Sequence, residues 1–347
     1  MTGKIPLGGG SPQGSGHIKC IHTYKDIISL ENLLEAWKEF RNGKRKRRDV
    51  LEFERDLMQN IISLHDDLVA KSYRHAHYKA FKINDPKPRD IHKATVRDRL
   101  LHHAIYRKLY PFFDKTFITD SYSCRMGKGT HKALDRFRNF AGKVSKNHTR
   151  TAWVLKCDIR KFFASIDQKI LVSILENYIS DKDIINLFSH IISSFHSTVK
   201  NVGLPLGNLT SQLLVNIYMN RFDRFMKHKL KTKYYIRYAD DFVILSCDRM
   251  YLKGLISLIS NFLKDSLKLR LHPDKVFIKT SASGVDFLGW VHFSNHRILR
   301  TSARKRMMRN IRKNCGKSES VQSYLGLIQH GNSYKLTKEI SSLTVFL

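Results

Sequence analysis

The chain has 347 residues, with 62 Lys and Arg against 30 Asp and Glu, a formal net charge of +32. At 42% hydrophobic and 11% aromatic residues it reads as globular, with enough length for several subdomain cores, which excludes a disordered polyelectrolyte. The charge excess calls for a polyanion, nucleic acid before a membrane surface: neutralising phosphates releases counterions, and no apolar run spans a bilayer or forms a basic amphipathic anchor.

Cys20, Cys124, Cys157, Cys247 and Cys315 lack paired spacing. That argues against a zinc site or disulfide framework and suits a reducing cytosol, and no secretory signal opens the chain. Residues 1–20, Gly-rich with Pro6 and Pro12, are expected to be a flexible leader. From Ser29, Leu30, Leu33, Leu34, Trp37 and Phe40 recur at spacings of three and four and predict a helix. Lys44-Arg45-Lys46-Arg47-Arg48 follows, as a solvated loop or as phosphate contacts, and Leu51 to Val69 resumes as helix. Phe81 to Ile91 carries Asn84-Asp85, Pro86 and Pro88 and predicts a hairpin. Asp98 to Leu109 is helical. Trp153-Val154-Leu155-Lys156-Cys157 is a short apolar strand ending at Asp158.

Helix is expected from about Gln168 to Phe195, a loop over Gly203-Leu204-Pro205-Leu206-Gly207, and helix again from about Ser211. Tyr234 to Leu245 is aromatic and β-branched about a short polar break, the pattern of two antiparallel strands and a tight turn. A helix near Leu252 to Leu267, strands around Val276 and over Val285 to Trp290, a basic helix from His296 to Lys313, and further helix from about Val321 complete the chain. Strands and helices mix without regular βαβ alternation, so the fold class is α+β.

Asp240 and Asp241, adjacent at a hairpin tip, repel each other and serve no core role. A hard divalent cation relieves that repulsion, because Mg²⁺ takes one or two carboxylates plus substrate phosphates; taken alone, the pair also reads as a solvated acidic turn. Asp158, ending a buried strand, completes a two-metal arrangement for displacement at phosphorus, or else caps a following helix.

Several motifs then occur in the order of a reverse transcriptase palm. They are Asp158 to Phe163, Leu204-Pro205-Leu206-Gly207-Asn208-Leu209-Thr210-Ser211-Gln212, Tyr238-Ala239-Asp240-Asp241, Lys275 and Phe287-Leu288-Gly289-Trp290. Lys87-Pro88-Arg89 with Asp98-Arg99-Leu100, and Tyr122 to His131, resemble the group II intron and retron-like branch, so the resemblance covers about residues 29–335. It implies a right-hand polymerase: leader 1–20, N-terminal helical extension 21–75, fingers 76–150, palm 151–290 with a helical insertion at about 168–200, and a short helical thumb 291–347.

The resemblance implies Asp158, Asp240 and Asp241, with the Ile159 backbone, as ligands of two Mg²⁺ ions, with Mn²⁺ as a substitute. It places Lys87 and Arg89 on the incoming triphosphate, where the plain reading is a solvated basic hairpin. Phe163 matches the ring beneath the sugar, or packs in the core. Leu206, Gly207 and Gln212 line the nucleotide. Lys275 protonates the leaving pyrophosphate or neutralises charge. Tyr238, Phe287, Leu288, Gly289 and Trp290 resemble a primer grip, with ordinary packing as the alternative. From His296 to Lys313 no acid occurs, and Arg304, Lys305 and Arg309 are expected to follow the template–primer backbone while Met307, Met308 and Ile311 pack.

Most reverse transcriptases carry Gln at Leu206 and Ser-Pro at Ser211-Gln212. The form here resembles the enzymes of diversity-generating retroelements, which copy a template-repeat RNA with errors at adenine. That implies as partners the template RNA, a cDNA primer–template, dNTPs and a small basic accessory protein forming a ring, in a bacterial, archaeal or phage setting. A retron-like or phage-defence reverse transcriptase, and a catalytically silent RNA-binding scaffold, remain the alternatives. The intact aspartates argue against the scaffold.

Overall fold

The computed structural model describes residues 18–84, 88–313 and 318–345. Most of the expected leader (residues 1–17) and Lys87 therefore lie outside the described residues. Cys20 corrects the leader's boundary. Its side chain is buried, its N–H donates to Tyr178 O at 2.8 Å, and it bridges Ile179 in parallel.

Four helices open the fold: α1 (Tyr24–Ile28), α2 (Leu30–Arg41), α3 (Arg48–Arg55) and α4 (Leu57–Val69). Thr23 and Asp26 form a capping box on α1, and Ser29 caps α2. The single helix expected over 51–69 is broken at Asp56, because the two halves bury different faces: Val50 in α3, and Ile61, Leu64 and Leu68 in α4. Asn60 Nδ2 donates to Phe53 O at 3.0 Å, satisfying a carbonyl that the break releases.

The hairpin β1 (Lys79–Ile83) and β2 (Arg89–Lys93) is exposed along most of its length and leads into α5 (Val96–Thr116), capped by Thr95. After α6 (Thr130–Val144) comes β3 (Trp153–Asp158). The stretch expected as one helix over 168–195 forms two, α7 (Gln168–Tyr178) and α8 (Lys182–Ser193). Asp181 divides them: its Oδ1 accepts from Asp183 N and Ile184 N, and its Oδ2 accepts from Tyr24 N. Then follow α9 (Leu209–Arg224), β4 (Tyr235–Tyr238), β5 (Asp241–Ser246), α10 (Arg249–Leu267) and β6 (Phe277–Thr280).

β4-β5-β3-β6 form an antiparallel four-stranded sheet covered on both faces. Alternation divides its side chains between two cores. Leu155, Cys157, Phe242 and Ile244 join the large core built with α9 and α10, while Val154, Val243 and Leu245 join a second core with Leu134, Phe137 and Phe140 of α6. Each such apolar side chain contributes about 1.5–3 kcal/mol on burial.

The strand expected over 285–290 is instead a tight hairpin, β7 (Val285–Phe287) and β8 (Trp290–His292), turning through Leu288 (φ 51°) and Gly289 (φ 85°). A third strand, β9 (Arg297–Leu299), takes residues expected in the basic helix, pairing Trp290 with Leu299. The helix α11 starts only at Thr301 and runs to Lys313; α12 (Ser318–Ile328) and α13 (Tyr334–Val345) pack with it about Met307, Met308, Ile311, Val321, Ile328 and Ile340.

Candidate active site

The β3–β5 register sets Asp158 opposite Asp241, and the β4–β5 register sets Tyr238 opposite Asp241, leaving Ala239-Asp240 as a two-residue turn. Ala239 has φ 57°, a left-handed conformation that costs a non-glycine residue roughly 1–2 kcal/mol. Two hydrogen bonds hold it there: Arg237 Nη1 donates to Ala239 O at 3.1 Å, and Ile159 N donates to Asp240 O at 3.2 Å. Alternation puts Lys156, Asp158 and Asp241 on one face of the sheet.

Both lysines are engaged. Lys156 Nζ stands 3.2 Å from Asp241 Oδ2, and Lys275 Nζ donates to Asp158 Oδ1 at 2.9 Å. Burial pushes the Asp241 carboxyl up to about 7; Lys156 pulls it back, while Asp240 and Asp158 raise it further. Burial also raises Asp240, with Asp158 adding to the shift and Lys275 and Arg89 opposing it, which brings Arg89 into the field of the site. Asp241 Oδ1 is buried without a hydrogen-bond partner.

Among the described residues no three His, Cys, Asp or Glu side chains converge closely enough to cage an ion. The lysines are the counterions in this arrangement. The donor set nonetheless suits a hard cation: three carboxylates at adjacent strand ends, one with an unsatisfied oxygen and two disfavoured as bare anions.

The loop before α9 docks onto β2. His92 N donates to Leu206 O at 3.1 Å and Asn208 Nδ2 to His92 O at 3.0 Å. Gly207 has φ 108°, and a Cβ there would stand 3.0 Å from Ile91 Cγ2, so both conformation and space favour glycine. Leu206 is half-buried beside it. Gln212 is half-buried in the first turn of α9; Asn216 Nδ2 donates to its carbonyl and, at 2.9 Å, to Ser123 O. Phe163 is half-buried, edge-on to Phe162 at 5.7 Å, and its carbonyl accepts from Leu204 N at 2.9 Å.

Tyr238 OH accepts from Thr130 Oγ1 at 3.2 Å, tying the β4 end to α6. Phe287 and Trp290 are buried in the second core, and Trp290 is covered by Gly331, where a Cβ would fall 2.1 Å from its ring. The Leu288-Gly289 turn is half-exposed, as are Asp286 and Val291 on the outer face of the hairpin. On α11, Lys305 and Arg309 are exposed, and Arg304 Nη2 reaches Glu339 of α13 at 2.6 Å. The missing local acids of this helix are thus partly supplied from elsewhere in the chain.

Two features escaped the sequence reading. Lys156 was legible: on a strand, two residues before Asp158 means the same face. The second is Arg237, fully buried and bound to Asp223, which is fully buried too. Arg237 Nε donates to Asp223 Oδ1 at 2.8 Å and Nη2 to Oδ2 at 2.6 Å, Tyr235 OH donates to Asp223 Oδ1 at 2.7 Å, and Nη2 also donates to Ser121 Oγ at 3.0 Å. Only the basic residue inside an otherwise aromatic and aliphatic strand hints at it.

The family model described as reverse transcriptase (RNA-dependent DNA polymerase) matches residues 82–292. Protein YkfC of Escherichia coli is 26% identical over 285 residues, spanning 71% of this chain and 73% of that protein. The group II intron-encoded protein LtrA of Lactococcus lactis is 24% identical over 282 residues, but the chain spans only 45% of its length. Among solved structures, apo telomerase from Candida tropicalis, truncated from its C-terminal domain, aligns with a TM-score of 0.49 at 14% identity, covering 70% of this chain and 60% of that one. Among the described residues no helix is long and apolar enough to cross a membrane.

Proposed function

The chain belongs to the reverse transcriptase (RNA-dependent DNA polymerase) family, and on that premise we propose that it extends a DNA primer on an RNA template at the Asp158–Asp240–Asp241 site. The observation that carries this is the strand register: Asp158 lies opposite Asp241, with Asp240 in the β4–β5 turn just before it, while the loop before α9 docks on the Arg89 strand. Asp158, Asp240, Asp241 and the Ile159 backbone would hold divalent cations, Mg²⁺ by the hardness of the oxygens. When bound, these supply charge neutralisation at the reacting phosphate and a more acidic primer hydroxyl.

The chain's own groups do the rest. Lys156 and Lys275 keep the carboxylates paired before cations arrive. Arg89, with Lys87, holds the triphosphate, and Lys275 is placed to give a proton to the departing pyrophosphate. Phe163, fixed by the Leu204 bond, sits under the sugar and disfavours a 2′-hydroxyl. The Leu288-Gly289 turn and the α11 arginines and lysine hold the primer and template backbones, in a fingers, palm and thumb arrangement with the boundaries given above. Template-dependent, Mg²⁺-dependent dNTP incorporation, lost in Asp240→Ala, tests this reading; incorporation at parental rate by that variant refutes it.

Within the family, the Leu206-Gly207-Asn208-Leu209-Thr210-Ser211-Gln212 loop favours a diversity-generating retroelement enzyme, acting with a template-repeat RNA and a small basic ring-forming protein. An apolar Leu206 offers no hydrogen bond beside the nascent pair, which weakens discrimination against a wrong nucleotide. Sequencing the RNA that copurifies with the chain tests the assignment. A structured RNA without a template repeat favours the retron-like or defence enzyme instead.

A further inference from the structure

A cleft of about 390 Å³ opens between α6, the β8–β9 connection and the α12–α13 connection, sharing no residue with the carboxylate site. That volume lies within the range of small-ligand sites. No acid lines it. Phe293 and His296 stack at 4.8 Å and 14°, with His296 exposed and Phe293 half-exposed. His131 and His330 form a second stack at 3.7 Å beside it.

The polar groups divide into committed and available ones. Arg297 is committed: it donates to His330 O, reaches Asp135 at 3.2 Å and lies over Trp290. Arg138, by contrast, is exposed and makes no ion pair among the described residues. The side-chain amides of Asn295, Gln329 and Asn332 make no hydrogen bond to protein among the described residues, and each offers both donor and acceptor. In the wall, His292 is buried with Nε2 lacking a partner.

We propose that this cleft binds one unpaired nucleotide of a single-stranded nucleic acid, the base against the Phe293–His296 stack and the phosphate on Arg138. Flat π surfaces, amides that match a base edge, and a cation in no ion pair are the elements of single-strand recognition, and Asp135, one turn before Arg138 on α6, is taken up by Arg297. An acidic peptide needs the cation but neither the stack nor the amides. The proposal rests on the polymerase reading only for the source of the strand, a segment of the template RNA outside the catalytic cleft.

The test uses the full chain with a labelled oligoribonucleotide containing 4-thiouridine, the same sequence as DNA, and polyglutamate as competitor. Expected are a photo-cross-link at Phe293 or His296, and roughly tenfold weaker binding by Arg138→Ala with Asn332→Leu. The salt slope should fall by about one. A melting temperature equal to the parent's shows that the variant folds, with Asn295→Ala as a milder second. RNA and DNA binding alike assigns the site to either strand; RNA preference assigns it to the 2′-hydroxyl-bearing one. Parental affinity and slope in the double variant, cross-links only elsewhere, or displacement by polyglutamate as effective as by unlabelled RNA overturn the proposal. Loss of primer extension in the parent would refute the polymerase reading and leave this binding result standing.

Discussion

The four-stranded sheet and the three C-terminal helices use the same charged residues under opposite conditions. At the sheet, charge is partnered and mostly withdrawn from water: Arg237 and Asp223 have no exposed side-chain surface, Lys156 meets Asp241 in a largely buried pair, and Lys275 reaches Asp158 from the half-exposed rim. On α11 charge stands in water, with Arg304 54% exposed even while it meets Glu339. The first setting makes position decisive, because an unpaired buried ion costs several kcal/mol; the second makes ionic strength decisive, because exposed pairs contribute about 0–1 kcal/mol and are screened.

The sharpest way to break this contrast is Asp240→Ala. Primer extension should fall at least about 10³-fold, as expected for loss of a central electrostatic group, while thermal stability holds or rises. The stability sign follows from the raised Asp240 carboxyl: burial and Asp158 already disfavour its charge, so removing it relieves repulsion. A melting temperature that drops with the activity would place Asp240 among the structural ions instead.

Arg237→Met should lower stability by about 3–5 kcal/mol in denaturant unfolding, since Asp223 is then buried unpaired. Adding Asp223→Leu should restore most of it. The double variant should still extend primers poorly, because nothing then donates to Ala239 O in the strained turn. Recovery of full activity would mean that the turn holds itself.

Changing Arg304, Lys305 and Arg309 together to Ala should leave folding within about 1 kcal/mol and flatten the salt dependence of template–primer binding, by about 0.9 per lost phosphate contact. Identical slopes for variant and parent would remove α11 from the interface. The smallest change is Leu206→Gln, expected to lower misincorporation opposite template adenine a few-fold with extension rate retained. An unaltered adenine error rate rejects the role given to Leu206.

Much of this was readable in the chain because it is local. Apolar periods mark α2, α9, α10 and the β4–β5 hairpin, and the two acids at its tip are evident in the sequence. The misreadings are where tertiary packing overrode a local pattern. The apolar and basic period of 51–69 and 168–195 continues across Asp56 and Asp181, yet the chain turns there to bury two faces against different neighbours. Val285 to Trp290 reads as one strand until Leu288 and Gly289 adopt positive φ, and Arg297 to Leu299 reads as helix until it pairs with β8. Phe287 and Trp290 read either as a primer grip or as ordinary packing, and their side chains lie in the second core.

The sequence by itself determined the residue types, their alternation and the motif order, since these depend on neighbours within a few positions. Only the tertiary structure decided which charges meet. Lys275 joins Asp158 across 117 residues, and Arg237 is bound to Asp223 and Ser121 from two other segments. The reason is physical: a local period fixes which face a residue takes, while which distant segments come together is set by long-range hydrogen bonds and packing.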